Sequence, residues 1–243
     1  MKFGSETPTP ITSTFTFSPV DLKTLGATEY TLVAIAADRS GSVAAFSREE
    51  EHALKEIVAA CRKSPRADNL LLRLTRFDHE LEEVHGFRQL ADCATDAYDG
   101  VLDARGTTNL YDASVNAVDA VASQGAKLIA EDFSANAILF VITDGEDNHS
   151  KATPREVKKA IERAMKAECL ESIVTVLIGV NVREASVASA LKRFSTEAGF
   201  TQYVELADAN ASSLAKLASF VSRSISSQSQ SLGTGGPSKA LTF

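Results

Sequence analysis

The chain has 243 residues, a formal charge of −7 and 44% hydrophobic residues. That length suits one large α/β domain, or at a stretch two small ones, and the hydrophobic fraction allows a sizeable core. The negative balance argues against non-specific nucleic-acid binding, and no apolar run reaches the ~18 residues a membrane span needs, so neither is an expected partner.

The three cysteines, Cys61, Cys93 and Cys169, are odd in number and lack CxxC spacing, which suits reduced thiols in a reducing cytosol. Met1–Val20 is rich in Thr, Ser and Pro and has no apolar core of a secretory signal, so a cytoplasmic protein is expected.

Residues 1–25 are expected to form an extended arm, with a strand at Ser13–Phe17. Tyr30–Ala37 is a short apolar run ending at Asp38, the pattern of a fully buried parallel strand. Ser47 followed by Glu50 matches a capping box opening a helix to about Arg62, with Ala53, Leu54, Ile57, Val58 and Cys61 at helical spacing. Asn69–Phe77 predicts a strand, and Glu80–Phe87 an antiparallel edge partner across a turn at Asp78-His79. Arg88–Gly106, with Asp92, Asp96, Asp99 and Asp103, is the least regular stretch and reads as an acidic, solvated connection of loop or short helices.

Thr108 or Asn109 caps a long helix with Leu110, Ala113, Ala117, Val118 and Val121 on one stripe, and Gly125 is its expected stop. Ala137–Thr143 is a second apolar run followed by an Asp. Lys151–Ala167 predicts a helix with Pro154 in its first turn, then Ser172–Val180 a strand, Arg183–Ala198 a helix, Gln202–Leu206 a short strand and Asp208–Ser226 a last helix. This alternation predicts a doubly wound α/β domain over residues 26–223: a mostly parallel central sheet with one antiparallel edge strand and helices on both faces. Residues 224–243, rich in Ser, Gln and Gly, are expected to be a flexible tail whose Ala-Leu-Thr-Phe tip frays.

Ligands of open parallel sheets sit at the carboxyl ends of strands, where Asp38 and Asp144 both fall. Ser40 and Ser42 alternate with Asp38 across a tight loop, and Thr108 follows Gly106 at a helix start. Two carboxylates and three hydroxyls, with no His or Cys among them, form a hard-oxygen set that selects a hard cation. Few protein ligands with room for water suit Mg²⁺, with Mn²⁺ or Ca²⁺ as substitutes.

These segments, Asp38-Arg39-Ser40-Gly41-Ser42, Gly106-Thr107-Thr108-Asn109-Leu110-Tyr111-Asp112 and Ile142-Thr143-Asp144-Gly145-Glu146-Asp147-Asn148, resemble in order, spacing and context the von Willebrand factor A domain family. The resemblance covers roughly Thr31 to Val221, with Thr107 standing where many members have a second Gly. It implies a Rossmann-like sheet and a metal-ion-dependent adhesion site formed by Asp38, Ser40, Ser42, Thr108 and Asp144. It also implies a mechanism in which a partner's Asp or Glu carboxylate completes the ion's octahedron. The expected function is an intracellular, non-enzymatic adaptor whose ligand is a protein presenting an acidic residue; an AAA+ ATPase or an operon partner is the candidate the family suggests.

The competing reading is a metal-dependent hydrolase or phosphatase using the same Asp and Ser residues. Ser40 stands where a dehalogenase-type site needs a second Asp, no G-x-S-x-G elbow is present, and no clear general base lies nearby in sequence. A dinucleotide site fails because no G-x-G-x-x-G follows the first strand. Arg39 is expected to face the partner surface or pair with Glu146. Glu146 and Asp147 are expected in an exposed loop, His149 near the rim without being a ligand, and His52, His79 and His85 in solvated or half-buried positions.

Overall fold

A computed structural model describes residues 17–232 and 241–243. Six strands form one sheet: β1 (Glu29–Asp38), β2 (Leu70–Phe77), β3 (Leu81–Gln89), β4 (Ser134–Thr143), β5 (Ile173–Gly179) and β6 (Gln202–Glu205). Their spatial order is β3-β2-β1-β4-β5-β6, and every pairing is parallel except β2 with β3. Five helices complete the fold: α1 (Ser47–Arg62), α2 (Leu110–Ala130), α3 (Pro154–Lys166), α4 (Ala185–Ala198) and α5 (Ala211–Ser231).

The apolar runs of β1 and β4 are continuous because both faces of the sheet are covered. On one face Val33, Ile35 and Ala37 of β1 pack with Leu54, Ile57 and Val58 of α1 and Leu217, Phe220 and Val221 of α5. On the other, Leu32, Ala34 and Ala36 meet Val118 and Val121 of α2, Val157 and Ile161 of α3, and Leu191 and Phe194 of α4. Each such Leu, Ile or Phe contributes roughly 1.5–3 kcal/mol by leaving water. This doubly covered sheet is the predicted architecture.

Several boundaries differ from expectation, each for a local reason. The Ser47–Glu50 capping box does not form: Phe46 occupies the cap without a side-chain bond, and Glu50 turns into the interior at 3% exposure. A box of this kind does open α3, where the Thr153 N–H donates to the Glu156 carboxylate at 2.8 Å. Gly125 does not stop α2, which continues to Ala130. A Cβ at Gly125 would lie 2.5 Å from the Cys169 carbonyl oxygen, so this glycine serves a close helix–loop approach.

The last helix also outruns its expected end. Gln228, 3% exposed, accepts from Asn136 Nδ2 through its backbone carbonyl at 2.8 Å and donates through its side-chain Nε2 to the Ala137 carbonyl at 3.0 Å. That buried amide holds residues 224–231 in α5, where a flexible tail was expected. Beyond it, Leu241 packs on the core and Phe243 meets Phe220 edge-on at 5.4 Å, where a frayed tip was expected; Ala240 lies outside the described residues. The strand expected at Ser13–Phe17 lies outside the described residues apart from Phe17, which sits edge-on to Phe87. Among the described residues no helix is long and apolar enough to cross a membrane.

Candidate metal centre

Parallel pairing of β1 with β4 sets Ala37 beside Ile142, and therefore brings the ends of both strands to one place. There Thr143 Oγ1 donates to Asp38 Oδ2 at 2.6 Å, while Asp38 Oδ1 accepts the Ser40 N–H at 2.7 Å. The Ser40 and Ser42 hydroxyls share a hydrogen bond of 3.2 Å, and Ser42 Oγ donates to Asp144 Oδ1 at 2.8 Å. Four of the five expected ligands are thus joined by hydrogen bonds, Asp38 to Ser40 through the Ser40 backbone N–H and the others through their side-chain oxygens.

Thr108 arrives on a neighbouring loop that is zipped to the first. The Arg105 N–H donates to the Arg39 carbonyl at 2.8 Å and the Gly41 N–H to the Gly106 carbonyl at 3.2 Å. Gly106 turns this loop at φ +72°, and a Cβ there would strike His79 Nδ1 at 2.4 Å. The Thr108 N–H donates to Asn148 Oδ1 at 2.8 Å, and its carbonyl accepts from Asn148 and His149. Thr108 is buried and Thr107 exposed, so Thr108 is the threonine turned inward. Its hydroxyl has no hydrogen bond among the described residues.

The result is a cup with a buried floor (Asp38, Ser40, Thr108) and an open rim, where Ser42 is exposed and Asp144 half-buried. Burial pushes the Asp38 carboxyl from 3.8 up to about 7, against the hydrogen bonds from Thr143 and Ser40; burial also raises Asp144, against its bond from Ser42. Two carboxylates, three hydroxyls and no opposing basic side chain at Asp38 fit a hard divalent cation, which would restore the charge that burial disfavours.

Other charged residues went elsewhere. Arg39 does not face a partner or Glu146: it is fully buried, 3.1 Å from each of Asp78, Glu82 and Asp103, and only the Nη1 contact to Asp103 has hydrogen-bond alignment. The connection 88–106 is as expected, two short helices with Asp92, Asp96, Asp99 and Asp103 all exposed, although Asp103 also pairs with Arg76, Asp99 with Lys55, and Tyr98 and Leu102 are buried. Asp147 satisfies the first turn of α2: its carboxylate and the Ser150 hydroxyl accept the Tyr111 N–H, a duty expected of Thr108 or Asn109; Asn109 holds the cap position but its side chain makes no cap. His149 is exposed and stacks edge-on to His79 at 6.2 Å, without contacting the four joined ligands. His85 is buried and bonded to Tyr98 Oη at 3.0 Å.

Roles missed by sequence are those of Thr143 and Asn148, which position Asp38 and Thr108, and of Glu50, a buried carboxyl on which the charges of Asp38 and Asp144 act. The signal for Glu50 was available: it precedes Ala53 and Leu54 at helical spacing, on the stripe that faces the core.

A parallel sheet with oxygen donors gathered at the carboxyl ends of its central strands defines an α/β binding domain of the doubly wound class. The chain belongs to the von Willebrand factor type A domain family, whose model matches residues 33–220. Domains of this family often serve protein interaction and adhesion, and their metal-ion-dependent adhesion sites bind divalent metals.

Among solved structures, the PilB minor pilin from Streptococcus sanguinis superposes with a TM-score of 0.59 at 16% identity, covering 87% of this chain and 64% of that one. The pilus adhesin SpaC from Lactobacillus rhamnosus GG gives 0.61 at 8% identity, covering 82% and 31%. Proximal thread matrix protein 1 from the mussel byssus, with a zinc-occupied MIDAS motif, gives 0.52 at 19%, covering 82% and 46%. These likenesses establish the fold, and the chain spans less than two thirds of each of these proteins. No curated protein sequence matches the chain at a significant level.

Proposed function

We propose that this chain is a Mg²⁺-dependent protein-binding module that works in the cytoplasm as an adaptor and is not an enzyme. Asp38, Ser40, Ser42, Thr108 and Asp144 would hold the ion, which when bound supplies a Lewis-acidic position for an Asp or Glu carboxylate of the partner. The observation that carries this reading is Asp38: a fully buried carboxylate with two hydrogen-bond donors and no basic partner, at the floor of a cup open to solvent. Mn²⁺ or Ca²⁺ would substitute, since the donor set is selective for hardness more than for size.

Supporting the partner's nature, a groove of about 830 Å³ opens beside the Thr108 loop, lined by His79, Asn109, His149, Lys151 and Lys159 among others. Of its four acids, Asp112 and Glu156 accept backbone N–H groups of residues 151–153 and Asp119 pairs with Arg163, which leaves one acid, Glu80, and two bases, Lys151 and Lys159, without an ion-pair partner among the described residues. An acidic segment flanking the anchoring carboxylate would suit that groove. The cytoplasmic placement is supported by three cysteines that are buried and free. An AAA+ ATPase or an operon partner remains the candidate ligand.

The test is a pull-down from source-cell lysate in Mg²⁺ and in EDTA, with wild type and Asp144→Ala, beside calorimetric titration of Mg²⁺. A partner kept only by wild type with Mg²⁺ supports the proposal. Partners indifferent to both EDTA and the substitution would overturn it.

A further inference from the structure

The most anomalous side chain outside the five expected ligands is Glu50. It lies in the first turn of α1, on the same buried stripe as Ala53, Leu54 and Ile57, at 3% exposure. Its carboxyl makes no hydrogen bond or ion pair among the described residues, and the charges that act on it are those of Asp38, Asp144 and Glu51, all negative. A hydrophobic residue would serve the core better at such a position, because an unpaired buried carboxylate is among the costliest groups to retain.

The chain path puts this residue beside the cup. Asp38 ends β1, the turn Gly41–Ala45 carries Ser42, and the Glu50 N–H closes the first turn of α1 on the Phe46 carbonyl. The first turn of α1 thus follows closely along the chain from the loop that carries Ser40 and Ser42, and the positive end of its helix dipole favours negative charge.

We propose that Glu50 belongs to the metal centre, acting on the ion through an intervening water and supplying the third negative charge that sets its affinity. Direct ligation is disfavoured because no three His, Cys, Asp or Glu side chains among the described residues converge closely enough to hold an ion by themselves. A water-mediated contact suits Mg²⁺, which keeps part of its hydration shell. Burial and the two neighbouring carboxylates hold the Glu50 carboxyl protonated well above the ordinary range until a cation offsets them. This inference rests on the proposed function, since it presumes that the cup takes a divalent ion.

The experiment is calorimetric titration of Mg²⁺ and Mn²⁺ into wild type, Glu50→Gln and Glu50→Leu, with thermal melts of each in EDTA. Expected is a loss of about tenfold to a hundredfold in affinity for both variants, the range of outer contacts to a metal. Their melting temperatures in EDTA should equal or exceed that of wild type, because each removes an uncompensated buried acid. Affinities within twofold of wild type would overturn the role of Glu50 while leaving the metal site standing. A wild type that takes up neither ion would overturn both readings. Variants that bind weakly because they are misfolded would betray themselves by low melting temperatures in EDTA, and that result also counts against the proposal.

Discussion

Asp38 and Arg39 are consecutive and both fully buried, yet they belong to two electrostatic environments. Arg39 enters a cluster in which Asp78, Glu82 and Asp103 surround it, with Arg76 and Arg105 behind them, so that its charge is matched within the protein. Asp38 enters a group of acids, Glu50 and Asp144, with hydroxyl and amide donors but no base. The difference separates two uses of charge: a cluster completed by its own chain holds the fold, and one left negative fits the cation proposed for it.

The largest expected effect comes from breaking the completed cluster. Asp78→Ala removes the one fully buried acid beside Arg39, leaving it only the half-exposed Glu82 and Asp103, and also removes the contact to Arg105 and the acceptor for the Glu80 N–H at 2.7 Å. Urea unfolding in EDTA should show a loss of about 3 kcal/mol or more. An equally buried acid on the other side should respond with the opposite sign. Asp38→Asn should raise metal-free stability at pH 7 by about 1–2 kcal/mol, while abolishing stabilisation by Mg²⁺. If both variants lost stability alike in EDTA, the contrast between the two regions would be wrong.

The contrast has a pH signature. Folded, Asp38 keeps its proton to about pH 7, whereas its ordinary value is 3.8, so between these limits the native state binds more protons than the unfolded one. Its contribution to metal-free stability is therefore fully present below about pH 4 and is lost as pH rises through 7. Melting temperatures in EDTA should show this fall in wild type and less of it in Asp38→Asn. Stabilisation by a fixed Mg²⁺ concentration should grow over the same interval, because the ion competes with that proton.

A smaller effect is expected from the donor that orients Asp38. Thr143→Val removes the 2.6 Å bond to Oδ2 without altering shape, and should weaken Mg²⁺ binding about tenfold in calorimetry. Stability in EDTA should stay within about 1.5 kcal/mol of wild type. Unchanged Mg²⁺ affinity would mean that Thr143 is only a strand terminus.

Much of this arrangement was legible in sequence because periodicity carried it. The apolar runs of β1 and β4 end at Asp38 and just before Asp144, and parallel pairing alone brings those ends together. What was illegible depended on partners distant along the chain. Arg39 reads as a surface charge until the fold supplies Asp78, Glu82 and Asp103. Glu50 fits a capping box by its letters, but Phe46 takes the cap and turns the carboxylate inward. Gln228 looks like tail composition until β4 presents the Ala137 carbonyl to it. In each case a polar side chain was assigned to solvent by default, and its tertiary partner decided otherwise.

The smallest expected effect tests whether burial, rather than charge count, governs the completed cluster. Glu82 contacts both Arg39 at 3.1 Å and Arg76 at 2.7 Å, but its side chain is 46% exposed. The hydrogen bond from Arg76 holds its carboxyl below the ordinary range, although water screens much of that interaction. Glu82→Ala should cost only about 0.5–1 kcal/mol in urea unfolding, should cost less at 1 M salt, and should leave Mg²⁺ affinity unchanged. Asp78 and Asp103 still face Arg39 in that variant, so the guanidinium is never stranded. A loss as large as that of Asp78→Ala would show that the exposed acid, and not the buried one, neutralises Arg39. The cluster would then depend on solvent-screened charge, and its contrast with the open acids around Asp38 would lose its physical basis.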